Sequence, residues 1–168
     1  MKSALITGAA SGIGKACAQR MAQEGYGVVV ADVNMAAAEA LVQELTAVGL
    51  SAIAVHMDVS DEQEVEAGFD KMMETYGSCD LVMSNAGVQI VHSFDEYPFE
   101  DWKKMMAIHA DGAFLVARAA FRRMKASGKT GQAAGRGLYD WSKKDADDFR
   151  HRKQSPYFDG VKSWTMPG

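Results

Sequence analysis

Thr7-Gly8-Ala9-Ala10-Ser11-Gly12-Ile13-Gly14 decides how this chain is read. It follows a short apolar run, Ser3 to Thr7, and opens a stretch, Ile13 to Glu24, whose small and apolar residues recur at helical spacing up to Gly25. A glycine-rich turn between a buried strand and a helix has a physical use. Gly8 permits a tight turn, Gly12 lets a ligand approach the backbone, and Gly14 lets the helix pack closely on the sheet. The helix N-terminus then offers free N–H groups and a positive dipole end to phosphates. Gly8, Ser11, Gly12, Ile13 and Gly14 are therefore candidate contacts to a pyrophosphate. A glycine-rich turn alone can be empty of meaning; its place between strand and helix makes the nucleotide reading the better one.

Outward from this loop the same alternation repeats. Val28 to Ala31 is a second apolar strand, and Asn34 is placed to cap a helix bearing Leu41, Leu45 and Val48. Ser51 to Met57 is a third strand, Ser60-Asp61-Glu62-Gln63 a capping box before a helix with Val65, Phe69, Met72 and Tyr76, and Cys79 to Ser84 a fourth strand. Pro98 to about Ala126 is expected to be one long helical stretch. Apolar strands alternating with helices indicate a parallel sheet covered on both faces. The expected fold is a doubly wound, Rossmann-like α/β sheet whose C-terminal part is incomplete.

Residues 1–126 form the expected dinucleotide-binding domain, with 10 basic and 17 acidic residues, net −7. Residues 127–168 differ: 8 basic and 5 acidic, net +3, with one Leu, one Val and no Ile. That segment has no aliphatic run for another core strand and is expected to be surface helix and loop or partly disordered.

The formal net charge of −4 gives no reason to expect nucleic acid or an anionic membrane as partner. Two distant cysteines make neither a disulfide framework nor a metal site, which fits a reducing cytoplasm. Glycines interrupt the N-terminal apolar residues, unlike a signal peptide, and no run is long enough to span a membrane. The expected partner is a small-molecule substrate.

Three further places line the carboxyl edge of such a sheet, where ligands of open α/β folds bind. Asp32 ends the second strand, 18 residues beyond Gly14. A carboxylate there accepts hydrogen bonds from the adenosine ribose and repels a 2′-phosphate, which favours NAD over NADP; the plainer reading is a turn aspartate before Asn34. Asp58-Val59 follows the third strand and Asn85-Ala86-Gly87 the fourth, an adenine contact and a nicotinamide-side wall.

In this order and spacing the motifs resemble the short-chain dehydrogenase/reductase family over about three quarters of the chain. Asn85 to Gln89 and Ile108 to Leu115 look most like its 3-hydroxybutyrate dehydrogenases. The resemblance implies an NAD-dependent oxidoreductase moving hydride to or from a small hydroxy acid or secondary alcohol, 3-hydroxybutyrate foremost, and a homo-oligomer. It assigns Gln89 to the substrate carboxylate. The family usually has asparagine where His109 stands, supporting a proton-relay water; a structural helix histidine is the equal alternative. Its catalytic pair is a tyrosine with a lysine four residues on, one helix face holding the ammonium beside the phenol and favouring phenolate. Tyr139 and Lys143 have that spacing. The family's apolar fifth strand is not found before them, and Ser127, near the place of a catalytic serine, falls at a helix end. A truncated homologue that binds dinucleotide without catalysis is the alternative.

Overall fold

Four strands, β1 (Ser3–Thr7), β2 (Gly27–Asp32), β3 (Ala52–His56) and β4 (Leu81–Met83), form one parallel sheet in the order β3-β2-β1-β4. The structure, a computed structural model, describes residues 1–128. Helices α1 (Gly12–Gln23), α2 (Met35–Ala47) and α3 (Glu62–Tyr76) are the crossovers. After a 3-10 turn (Phe94–Glu96) come α4 (Phe99–Met106), a π-helical turn (Ala107–Asp111) and α5 (Gly112–Ala126). This is the doubly wound, Rossmann-like architecture that the alternation of apolar strands and helices implies. Among the described residues no helix is long and apolar enough to cross a membrane, and no three His, Cys, Asp or Glu side chains are grouped to hold a metal.

Strand side chains alternate between faces, and each face meets its own helices. Leu5, Val29 and Ala31 pack with Val65, Phe69 and Met72 of α3 and with Val116 and Ala119 of α5. Ile6, Val28 and Val30 pack with Ala18 and Ala22 of α1 and with Leu41 and Leu45 of α2. Burial on both faces is why these strands read as continuous apolar runs. Phe69 is wholly enclosed, and truncating it to alanine costs about 3–5 kcal/mol. Along the outer surface α5 is laced to α3, with Arg118 on Glu62 at 2.5 Å and Arg123 on Asp70 at 2.6 Å.

β2 and β3 differ by one residue at each end from the expected strands, and three further differences have side-chain or backbone causes. The fourth strand is only Leu81–Met83, because the N–H groups of Asn85 and Ala86 turn to the Thr7 hydroxyl instead of a strand ladder. Asp61, not Ser60, caps α3: its Oδ1 accepts from the N–H groups of Gln63 and Glu64, while the Ser60 hydroxyl is spent on Asp58. The long helical stretch is interrupted by a π turn, where the Gly112 N–H reaches back to Ala107. Gly112 fits closely there, since a Cβ would stand 2.7 Å from Val59 Cγ2.

The winding creates the site. The chain steps outward from β1 to β2 to β3, then crosses back to lay β4 on the other side of β1. Loops leaving β1 and β4 therefore diverge and leave a crevice at the sheet's carboxyl edge, the switch point where such folds bind ligands.

Candidate functional site

A cleft of about 780 Å³ opens at that switch point. Of the residues expected from sequence, Gly8, Ser11, Gly12 and Ile13 line its β1 side, Asp32, Asp58 and Val59 its β2–β3 side, and Asn85, Ala86 and Gly87 its β4 side. Gly14 lies beneath, where a Cβ would stand 2.1 Å from the Gly8 carbonyl oxygen and 2.7 Å from Asn85 Nδ2. Gln89 is exposed and lies just beyond Val88, which does line the cleft. Tyr139 and Lys143 lie outside the described residues, as does the segment 127–168 apart from Ser127 and Gly128. Ser127 follows α5 in a turn.

The glycine-rich loop is latched from both sides. Thr7 is buried, and its Oγ1 accepts from the N–H groups of Asn85 and Ala86, each at 3.0 Å. Asn85 Nδ2 donates in return to the carbonyls of Thr7 (3.0 Å) and Gly8 (3.3 Å). From β2, Asp32 Oδ2 accepts the Ala10 N–H at 2.8 Å and Oδ1 the Asn34 N–H at 2.9 Å. Asp32 therefore organises the turn before α2, and it also stands in the cleft wall.

The loop has the features a pyrophosphate needs. Gly12 lines the cleft at φ +53°, and a Cβ built on it meets nothing within 4 Å. Ser11, the residue before α1, makes no capping bond with its side chain, so the first N–H groups of the helix have no side-chain acceptor there. A dinucleotide's phosphates fit this cradle.

On the β3 side, Asp58 Oδ1 accepts from the Ser60 hydroxyl (2.6 Å) and N–H (2.9 Å), and these bonds hold its carboxyl below the usual range. Its N–H donates to Glu64 Oε2 at 2.7 Å, and that oxygen also lies 3.0 Å from His56 Nδ1. On the β4 side the π turn brings the His109 ring against Gly87 and the Val88 backbone. Nε2 lies 2.7 Å from the Val88 carbonyl oxygen and 3.2 Å from its nitrogen; one tautomer serves only one of them, and the shorter contact suits an Nε2–H donor.

Sequence reasoning passed over Thr7 as a latch, and Val33, Met57, Lys104 and Ile108 as lining residues. Lys104 and Ile108 carry a signal, the i, i+4 spacing that puts both on one helix face. Thr7 carries none, since its partners are 78 and 79 residues away.

A doubly wound parallel sheet with a latched glycine-rich loop at its switch point defines a nucleotide-binding α/β class. Residues 2–134 match the short chain dehydrogenase family, and the chain belongs to it. It is 42% identical over 132 residues to the uncharacterized oxidoreductase YuxG of Bacillus subtilis (strain 168), covering 77% of this chain and 19% of that one. It is 37% identical to the L-rhamnose 1-dehydrogenase (NAD(P)(+)) of Azotobacter vinelandii over 77% of this chain and 52% of that one. The solved structure of a short-chain type dehydrogenase/reductase from Mycobacterium marinum superimposes with a TM-score of 0.73 at 35% identity, over 76% of this chain and 51% of that one. The chain thus spans about half the length of these last two, and a fifth of the first.

Proposed function

We propose that the cleft holds NAD and that the chain is an oxidoreductase acting on a small hydroxy acid or secondary alcohol, with 3-hydroxybutyrate as substrate. The observation that carries this is the convergence of ten separately expected residues on one cleft at the switch point. Gly12 and Ile13 at the start of α1 would hold the pyrophosphate, Asp32 the adenosine ribose, and Asp58 and Val59 the adenine. Ala86 and Gly87 form the wall on the nicotinamide side. Bound nicotinamide supplies or accepts the hydride. Tyr139 exchanges the substrate's hydroxyl proton, Lys143 favours the phenolate, and Gln89 holds the carboxylate, as the family resemblance assigns them. Asp32 supports NAD rather than NADP, although the Azotobacter relative carries both in its name.

The test pairs a calorimetric titration with NAD and NADP against an NADH-formation assay with 3-hydroxybutyrate. Tighter binding of NAD together with turnover is expected. Binding without turnover would make the chain a dinucleotide-binding homologue lacking catalysis. No binding of either cofactor would refute the assignment of the cleft.

A further inference from the structure

The phosphate loop, Thr7 to Gly14, has no basic side chain. Lys15, the next residue, is drawn away into an ion pair with Glu44 at 3.0 Å. The cleft wall holds two carboxylates, Asp32 and Asp58, and the bonds from Ser60 keep Asp58 ionised. An anion entering here meets N–H groups and a helix dipole, but also two negative charges. Its counter-charge must come from elsewhere.

One basic side chain lines the cleft among the described residues, Lys104 of α4. It lies one helical turn before Ile108, which lines the same cleft, so α4 and the π turn present a continuous stripe to it. Its neighbour Lys103 faces elsewhere, bonded to Glu100 at 2.8 Å and seated over the Phe99 ring at 5.2 Å. Lys104 makes no such pair among the described residues.

We propose that Lys104 is the charge contact that α4 brings to the anionic pyrophosphate of the dinucleotide, an inference that rests on the dinucleotide reading of the cleft. Backbone N–H groups fix the position of the phosphates; Lys104 offsets the repulsion from Asp32 and Asp58. A long, exposed lysine suits that task, because its ammonium can follow the phosphates without a rigid geometry.

The experiment titrates the full chain with NADH and, separately, with uncharged adenosine, at about 0.01 M and about 1 M ionic strength, where the screening length falls from about 30 Å to about 3 Å. Lys104→Met keeps the aliphatic stem and removes the charge. It should weaken NADH binding roughly threefold to tenfold at low ionic strength, and far less at high. Lys104→Arg should restore the parent affinity, and adenosine should bind all three proteins alike. Unchanged NADH affinity and salt dependence in Lys104→Met, while the parent binds NADH, would overturn the proposal and leave the assignment of the cleft standing. An equal loss for adenosine would also overturn it, because the lysine would then be packing on the nucleoside. A parent chain that binds adenosine but not NADH would remove both readings.

Discussion

Two glycines of the phosphate loop sit two residues apart, and an added side chain should be costly to the fold at one and to nucleotide binding at the other. At Gly14 an alanine Cβ would stand 2.1 Å from the Gly8 carbonyl oxygen, 2.7 Å from Asn85 Nδ2 and 2.8 Å from the Gly8 carbonyl carbon. Ordinary contact begins near 3.4 Å, so the loop must retreat by more than an ångström, and two of the three atoms are backbone. Such overpacking costs about 1–3 kcal/mol. Retreat also breaks the Asn85 bonds to Thr7 and Gly8, at about 1 kcal/mol each. Gly14→Ala should thus lose roughly 3–5 kcal/mol, a large share of the ~5–15 kcal/mol that holds a domain together. At Gly12 the Cβ meets nothing, and only the φ of +53° opposes it, at about 1–2 kcal/mol. Yet Gly12 lines the cleft where the phosphates are proposed to lie, so Gly12→Val should abolish NADH binding in a protein that is still folded. Urea unfolding followed by far-UV circular dichroism, beside an NADH titration, separates the two. A Gly14→Ala protein as stable as Gly12→Ala would refute the packing argument. A Gly12→Val protein with parental NADH affinity would refute the placement of the phosphates.

Asp32→Ala removes acceptors from the Ala10 and Asn34 N–H groups as well as the charge proposed to repel a 2′-phosphate. NADH affinity should fall about tenfold or more while NADPH falls less, and equal affinities in the parent would sink the argument. Asp58 has its folded pKa below the ordinary 3.8, so its stabilising effect is present above that value and lost as pH falls through the lower folded one. Asp58→Asn should lower the urea midpoint at neutral pH, and the gap to the parent should close below pH 3.8; a gap constant down to about pH 2 contradicts this. Tyr139→Phe should leave NADH binding intact and reduce 3-hydroxybutyrate turnover at least about 10²-fold. Lys143→Ala should reduce turnover too and shift the pH–rate profile upward, and an active parent whose Tyr139→Phe form keeps full rate requires another acid.

What the sequence made legible was whatever local chemistry decides. β1 begins and ends where its apolar run does, and Asn34 caps α2 through the Ala37 N–H at 3.1 Å. The expected cleft residues follow strand ends, so knowing the strands placed them. The misses were decided at a distance. Ser60 and Asp61 are both good caps, and only the position of Asp58 shows that Ser60 is already taken. The π turn answers to contacts of Gly112 with Val59 and of His109 with Val88, which no helical periodicity records. Lys104 reads as one more surface charge until α4 is laid across the sheet's edge.

The latch between Thr7 and Asn85 also sets an order of assembly. The pairing of β1, β2 and β3 runs between neighbours in the chain and is complete by residue 56, although one face of these strands is covered only when α3 and α5 arrive. The bonds that tie the glycine-rich loop to Asn85 and Ala86 span 77 to 79 residues, so this side of the latch closes only when β4 docks beside β1. During synthesis, the strand-and-helix half can begin to order while the loop is held only from the β2 side, through Ala9 and Ala10. Nucleotide affinity should then appear late and all at once, as residues 81 to 86 fall into place. Because a ligand that binds only the latched state stabilises it by mass action, NADH added during refolding should act on this last step and leave the earlier ones untouched.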